Sequence, residues 1–261
     1  MCVRVGDKIS KLVEYNCGVR QGCPASPLLF DIYINDLLDG IKGVKIPGME
    51  AEISGLLFAD DAVVLAESPA ELQIALEKIS AWSQKWEMEI NQEKCGVMGI
   101  NSNTGMLFTI MGKPVAQVPE YKYLGVVFND KWNNSTALKS NCENGRKAFH
   151  SMYYFLSRKD IPTIMRITLV RSVLIPILCY GGEIFGMSAV RCGILQKVAD
   201  DAIRLVSGVG RSTALQRLRN ELKIEDIFTR RSDQQAVKES IGYLGQRNCP
   251  LEKAVSEGSP K

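Results

Sequence analysis

Two adjacent carboxylates between apolar runs restrict the fold of this chain more than any other feature of its sequence. Gly55-Leu56-Leu57-Phe58 precedes Ala59-Asp60-Asp61, and Ala62-Val63-Val64-Leu65-Ala66 follows it, which predicts a buried β-hairpin with an acidic turn. Hairpin turns of two residues favour Asn-Gly or Asp-Gly, which reach positive φ easily, and this turn has no glycine. The sequence therefore indicates a turn selected for its carboxylates rather than for its backbone geometry.

Asp60 and Asp61 are expected to need a counter-charge, because like charges and desolvation both oppose the ionisation of neighbouring carboxyl groups. A hard divalent cation such as Mg²⁺, with Mn²⁺ as an alternative, prefers oxygen ligands and takes phosphate oxygens as co-ligands. A metal site that handles phosphates is one interpretation of this pair. An ordinary exposed acidic loop is the other.

Charge is distributed unevenly along the chain. Residues 1–130 carry 11 Lys and Arg against 17 Asp and Glu, a net charge of −6, and residues 131–261 carry 21 against 12, a net charge of +9. An acidic half that could hold cations thus precedes a basic half that could hold phosphates. Two ordinary solvated surfaces are the alternative explanation.

Apolar periodicity predicts an α+β first half and a helical second half. One helix is predicted from Ser26-Pro27 toward Gly40, and another from Ser68-Pro69 to about Glu89, since both pairs combine a capping side chain with proline in the first turn. Short strands are predicted in an N-terminal hairpin, at residues 3–5 and 9–15, and at 95–100, 107–111 and 123–128. Further helices are predicted at 135–157, 162–179, 188–207 and 233–245.

The composition excludes several other classes of protein. No apolar run approaches the roughly 20 residues needed to cross a bilayer, and the N-terminus lacks the basic-then-apolar order of a signal peptide. The eight cysteines form no Cys-x-x-Cys pair, so neither a zinc site nor a disulfide framework is indicated. An intracellular protein without a recognisable targeting signal is expected.

Four blocks of this sequence resemble the series that reverse transcriptases carry, conventionally lettered B, C, D and E. A later segment, Leu178 to Phe185, resembles the Tyr-Gly-x-Glu-x-aromatic segment of LINE (non-LTR) retrotransposons, which favours these elements over group II intron, telomerase or retroviral relatives. The resemblance covers nearly the whole chain and weakens after about Ile227. The four blocks are Gly18 through Phe30, then Phe58-Ala59-Asp60-Asp61, then Asn91 through Lys94, and finally Tyr121 through Gly125.

The resemblance implies a right-hand polymerase architecture. Residues 1–130 would form part of the palm, an antiparallel sheet with packed helices, and residues 131–245 the all-helical thumb and connection, followed by a flexible tail at 246–261. The family places a further aspartate-bearing block and most of the fingers before the block that begins at Gly18. We therefore expect a truncated chain that needs an upstream fingers and palm segment as its partner.

The resemblance also implies roles for individual residues. Asp60 would be a ligand of the catalytic metal ions, Asp61 a weaker ligand beside it, and Lys94 a third catalytic residue near the triphosphate. The incoming nucleotide would lie against Gln21, Gly22, Phe58 and Ala59.

Nucleic-acid contacts are implied in the second half of the sequence. A hairpin with Tyr123, Leu124 and Gly125 would grip the primer terminus. Basic residues of the thumb would contact template–primer phosphates without sequence preference, namely Arg146, Lys147, Arg166 and Arg171.

The function implied by the resemblance is RNA-directed DNA synthesis by two-metal nucleotidyl transfer. Its partners would be an RNA template, a DNA primer and deoxynucleoside triphosphates, with Mg²⁺ as cofactor, and the family implies a nuclear location. A catalytically inactive or domesticated nucleic-acid-binding remnant is the alternative, because the upstream aspartate block is not found in residues 1–261.

Overall fold

A computed structural model describes residues 2–14, 18–46, 51–102, 105–184 and 188–247, with side chains up to residue 237. The chain divides into two compact units. The first comprises residues 1–97 and 103–117, and the second comprises residues 98–102 and 118–261. Mixed helices and small, mainly antiparallel sheets make the fold α+β, as the sequence predicts.

The first unit contains nine short strands. Its sheets are the pairs β1–β2, β3–β4 and β5–β6 and a three-stranded sheet in the order β7-β9-β8. All pairs are antiparallel except β7 with β9. The strands are β1 (Arg4–Val5), β2 (Lys8–Ile9), β3 (Val44–Lys45), β4 (Glu52–Ile53), β5 (Gly55–Phe58), β6 (Asp61–Val64), β7 (Gly96–Val97), β8 (Phe108–Ile110) and β9 (Lys113–Gln117).

Helix α1 is shorter than its pattern predicts and begins without the expected cap. It spans Ser26–Ile34, with Ala25 as the N-cap, and the Ser26 hydroxyl donates to the Arg20 carbonyl (2.8 Å) instead of accepting from the helix. Its apolar stripe was predicted to be buried, but within the described residues Leu28, Leu29 and Ile32 are 66%, 55% and 74% exposed.

Helix α2 (Pro69–Lys85) confirms the predicted cap at Ser68. The Ser68 hydroxyl accepts from the Glu71 amide (3.3 Å), which satisfies one of the free N–H groups of the first turn. The helix ends before the predicted Glu89, because Glu87 adopts a left-handed φ of 53° that helical residues do not take. The buried face of α2 packs on β8, and Phe108 at its centre is fully buried.

A second hairpin, β10 (Glu120–Tyr123) with β11 (Val126–Asn129), belongs to the second unit. The single strand predicted at residues 123–128 is wrong, because a two-residue turn interrupts it. Leu124 and Gly125 have φ values of 46° and 83°, the pair of positive angles that a type I′ hairpin turn requires. Buried Asn129 then ties β11 to the following helix by donating to the Thr136 hydroxyl (2.8 Å).

The helices of the second unit agree largely with the predicted ranges. A π-helical turn, Val170–Leu174, lies just before Pro176, whose missing N–H leaves the carbonyl four residues earlier without its normal helical donor. Helix α7 was not predicted. The helices are α3 (Ser135–Ser157), α4 (Thr163–Leu169), α5 (Ile175–Cys179), α6 (Ala189–Ser207), α7 (Leu215–Glu221) and α8 (Ile227–Arg247).

Helices α3, α5 and α6 enclose the larger apolar core, in which Leu178 and Leu195 are fully buried. Gly145 permits the close approach of α3, since a Cβ at this position would lie 2.3 Å from the Leu178 Cδ2 atom. Cys179 is also fully buried, and burial raises the pKa of its thiol to about 11. This core holds the hairpin and the C-terminal end of α5 in fixed positions.

The compact units do not end where the sequence places the boundary after residue 130. Residues 118–130 pack with the helices that follow them, through contacts between β11 and α3. Assignment of the units to palm and thumb stays a prediction. No described helix is both long enough and apolar enough to cross a membrane.

Candidate functional site

The acidic turn lies at the tip of the β5–β6 hairpin. Phe58 pairs with Asp61, so Ala59 and Asp60 form a two-residue turn and Asp61 begins β6. Ala59 takes a φ of 49°, a left-handed conformation that costs a residue with a Cβ about 1–2 kcal/mol. A strained alanine where glycine would relieve the strain supports the prediction that the turn is retained for its carboxylates.

Both carboxylates are exposed, which corrects the expectation of a buried hairpin. Cross-strand partners share one face of a hairpin, so Phe58 and Asp61 lie side by side. That face is open: the described structure leaves Phe58 61% and Leu56 49% exposed. Desolvation therefore does not create the predicted need for a counter-charge. The exposed pair instead presents oxygen ligands beside an apolar surface.

The donor set at this turn fits a hard divalent cation in chemistry but not in number. Asp60 and Asp61 supply carboxylate oxygens, the ligands that Mg²⁺ prefers. Among the residues that the structure describes, however, no three Asp, Glu, His or Cys side chains gather to hold a metal ion. The turn can contribute part of a metal site, and the remaining ligands must come from other groups or from a phosphate substrate.

The predicted nucleotide loop precedes α1 in the same unit. Gln21 is exposed, and Gly22 adopts a φ of 82° with open space where a Cβ would be. Glycine is thus needed here for backbone conformation. The Cys23 amide donates to the Arg20 carbonyl (3.2 Å), which fixes the loop next to the helix start.

Lys94 ends a short 3₁₀ helix, Gln92–Lys94, and its side chain is exposed. This helix contacts β9, within the first unit. Its predicted catalytic role stays a prediction, as do the predicted roles of the acidic turn and the nucleotide loop.

In the second unit, the predicted primer-grip turn and one predicted phosphate contact line the same cleft. Gly125 of the turn and Lys147 of α3 lie on its walls, together with Lys122 of β10. The cleft has a volume of about 480 Å³. Its full lining is Lys122, Gly125, Asn141, Asn144, Lys147, Pro176, Ile177 and Tyr180.

The basic residues predicted to contact phosphate fall into two groups. Arg146 and Lys147 are exposed on α3, and within the described part of the chain no acidic side chain lies within ion-pair distance of either. Arg166 and Arg171 do not fit the prediction. Arg171 is half-buried and donates to the Leu222 carbonyl.

Arg166 is buried, and its guanidinium makes three hydrogen bonds within the protein. It donates to the carbonyls of Leu156 (3.2 Å) and Ile161 (3.1 Å) and to the Thr163 hydroxyl (3.1 Å). Leu156 lies in the last turn of α3, where carbonyls lack helical partners. Arg166 therefore joins the end of α3 to the start of α4, and a phosphate could reach it only if these bonds opened.

Sequence reasoning missed Lys122, Asn141, Asn144 and Tyr180 as functional candidates. Tyr180 lies in the Tyr-Gly-x-Glu segment and Lys122 in the Tyr121–Gly125 block, so both belong to quoted motifs. Their proximity to each other depends on packing between segments more than 50 residues apart, such as the hydrogen bond between Tyr180 and Leu124. No sequence pattern indicates that contact.

Comparison with known proteins identifies relatives of this chain. Residues 2–128 match the family described as reverse transcriptase (RNA-dependent DNA polymerase). The RNA-directed DNA polymerase from mobile element jockey of Drosophila melanogaster is 24% identical over 189 residues, covering 69% of this chain and 20% of that protein. The Pol polyprotein from the type-1 retrotransposable element R2 of Popillia japonica is 27% identical over 207 residues, covering 74% and 32% respectively.

A related R2 polyprotein from Nasonia vitripennis is 37% identical over 125 residues, covering 43% of this chain and 12% of that protein. The chain thus spans about a third or less of the length of these relatives. The matched residues include the acidic turn, the nucleotide loop and the hairpin that carries Leu124 and Gly125. Residues 2–128 therefore belong to the reverse transcriptase family, in the form found in non-LTR retrotransposons.

Proposed function

We propose that this chain carries out part of RNA-directed DNA synthesis, the extension of a DNA primer along an RNA template. The observation that carries the proposal is the exposed Asp60-Asp61 pair on a strained hairpin turn, inside the segment that matches the reverse transcriptase family. The first unit would act as part of the polymerase palm and the second as the thumb.

Asp60 and Asp61 would hold the catalytic cations, for which Mg²⁺ is the best candidate. When bound, such ions activate the primer 3′ hydroxyl and stabilise the leaving pyrophosphate. Asp60 lies in the turn itself and would be the principal ligand, whereas Asp61 is held in strand pairing with Phe58 and would support it. Because the described residues provide only this acidic pair, an aspartate outside them would complete the site.

The other residues of the first unit would orient the nucleotide. Gln21 and Gly22 offer an exposed loop against which a deoxynucleoside triphosphate could rest, and Phe58 offers an apolar surface beside Asp61. Lys94, exposed at the end of its 3₁₀ helix, would neutralise or protonate the leaving pyrophosphate. A cation is suited to that step because negative charge develops on the leaving group.

The second unit would bind the template–primer. Tyr123, Leu124 and Gly125 form or border the hairpin turn that would hold the primer terminus, and Arg146 and Lys147 would contact the nucleic-acid backbone. Contacts of this kind are independent of sequence and weaken as salt releases counterions. The nuclear location implied by the family stays a prediction.

Primer extension tests the proposal. The assay uses an extended protein, defined as residues 1–261 joined to the aspartate-bearing segment that the resemblance places before Gly18. We expect incorporation of deoxynucleotides complementary to an RNA template, complete loss of incorporation on removal of divalent ions with EDTA, and recovery with Mg²⁺ or Mn²⁺. Incorporation that survives EDTA, or products that ignore the template sequence, would contradict the proposal.

A nucleic-acid-binding protein without catalysis is the second candidate. The exposed basic residues of α3 favour it, because Arg146 and Lys147 can attract phosphates whether or not a metal site is complete. This candidate predicts binding of an RNA–DNA hybrid with equal affinity in Mg²⁺ and in EDTA at matched ionic strength. It also predicts no incorporation by the extended protein, which separates it from the first.

A further inference from the structure

The cleft in the second unit has the chemistry of a phosphodiester-binding site. Lys122 lies on the hairpin side and Lys147 on the α3 side, so two cations face one opening of about 480 Å³. Asn144 adds an exposed amide. Of the eight residues that line the cleft, none is acidic. Two cations and polar amides around an open groove suit a polyanion better than an apolar ligand.

The shape of the cleft depends on Tyr180. Its hydroxyl donates to the Leu124 carbonyl (2.6 Å), and its ring packs on the hairpin turn so closely that a Cβ on Gly125 would lie 3.1 Å from it. Glycine at this turn is therefore required by φ and by the ring together. Tyr180 thereby connects the C-terminal end of α5 to the turn of the β10–β11 hairpin.

The backbone of Tyr180 is itself held in place. Tyr180 leaves the helical conformation directly after α5, with φ −55° and ψ 133°, and its carbonyl accepts a hydrogen bond from the Asn141 side chain (2.7 Å). Asn141 is buried on α3, so α3 fixes the segment that carries the tyrosine ring. A second contact supports the same arrangement, since Gly181 lies against Val126 of β11.

We propose that this cleft binds the sugar–phosphate backbone of a nucleic-acid strand between Lys122 and Lys147, with Tyr180 as the positioning residue that holds the hairpin turn at its edge. The inference rests on the proposed function, which it deepens by naming the site. Its two cations come from different elements. The distance between them is therefore set by the hydrogen bonds of Tyr180 and Asn141 and not by one helix.

Binding of a fluorescent RNA–DNA hybrid to the 261-residue chain tests the two lysines. Replacing Lys122 and Lys147 together with Gln should lower the affinity about tenfold at low salt and reduce the slope of log affinity against log salt by about two, because two phosphate contacts are lost. The control replaces Lys159 and Lys197, which are exposed in the same unit and do not line the cleft. It removes the same charge, and we expect a change of less than about threefold.

Equal effects of the two double variants would overturn the proposal, because they would show general attraction to a basic surface. The assay requires no catalysis. If the lysine pair controls binding while the extended protein never incorporates nucleotides, the cleft stands and the polymerase assignment fails. If incorporation is normal but the lysine pair behaves as its control does, the cleft fails and the polymerase assignment stands.

Tyr180→Phe tests the positioning role, since it removes only the hydroxyl. We expect faster hydrogen exchange confined to residues 121–127, an unchanged melting temperature, and a loss of affinity of about three- to tenfold, which corresponds to one hydrogen bond. Tyr154→Phe is the matched control, because Tyr154 is 75% exposed on α3 and away from the cleft. Unchanged exchange at the hairpin in the Tyr180 variant would show that the hydroxyl does not hold the turn.

Discussion

Replacing Asp60 with Asn in the extended protein should lower the rate of DNA synthesis about a thousandfold or more. Asn keeps the size of the side chain but removes the charge and one anionic oxygen, and a catalytic metal contributes several kcal/mol to the transition state. Asp60 lies in an exposed turn, so the substitution should leave the melting temperature and the affinity for RNA unchanged. Single-turnover primer extension measures the effect.

Two further substitutions define the specificity of that result. Asp61→Asn should have a smaller effect, about ten- to a hundredfold, because Asp61 is expected to be the weaker ligand. Glu89→Gln removes an exposed carboxylate elsewhere in the first unit and should have no effect. Near-normal synthesis by the Asp60 variant would show that the metal site has been assigned to the wrong turn.

Replacing Arg166 with Met should lower the free energy of unfolding by about 2–4 kcal/mol. The guanidinium satisfies the carbonyls of Leu156 and Ile161, and a buried acceptor that loses its donor costs about 1–3 kcal/mol. It also places a positive charge at the C-terminal end of α3, where the helix dipole favours one. Chemical denaturation monitored by circular dichroism measures the change.

Arg146→Met is the matched control, because it removes the same side chain from an exposed position of α3. Its effect on stability should stay within about 0.5 kcal/mol. At a temperature where both variants are folded, the Arg166 variant should bind an RNA–DNA hybrid as well as the wild-type chain does. A loss of affinity at Arg166 without a loss of stability would restore it as a phosphate contact.

Local patterns predicted many elements of the fold correctly. Ser68 with Pro69 predicted the start of α2, and helical periodicity predicted α3 at its observed bounds, because capping groups and apolar spacing are properties of adjacent residues. The same reasoning failed for α1. There Ser26 bonds to Arg20 instead of capping the helix, and the apolar stripe is not covered by any described residue.

Turns and strand edges account for most of the remaining errors. Residues 123–128 were predicted to form one strand, since the Leu124-Gly125 turn lacks the asparagine or aspartate that usually marks such turns. Strand β9 was missed because it contains Pro114, and proline argues against a strand unless its missing N–H faces away from a neighbour.

The candidate site could be predicted only in part, for a physical reason. The acidic turn and the nucleotide loop are contiguous in sequence, so a motif can indicate them. Burial of a charged residue depends on the whole fold, and therefore Arg166 could not be separated from Lys147 by sequence. The cleft around Tyr180 depends on contacts between distant segments and lay beyond any local pattern.

Iron-mediated cleavage of the backbone tests the central claim, that the acidic turn holds the catalytic cations. Fe²⁺ takes the same oxygen ligands as Mg²⁺ and produces hydroxyl radicals that cut the chain close to the ion. The extended protein would be loaded with an RNA template, a DNA primer and the next nucleotide, and the cuts located by mass spectrometry. The account predicts cuts within residues 55–64 that disappear with excess Mg²⁺ and in the Asp60→Asn variant. Cuts elsewhere only, or cuts at the turn that persist without Asp60, would contradict it.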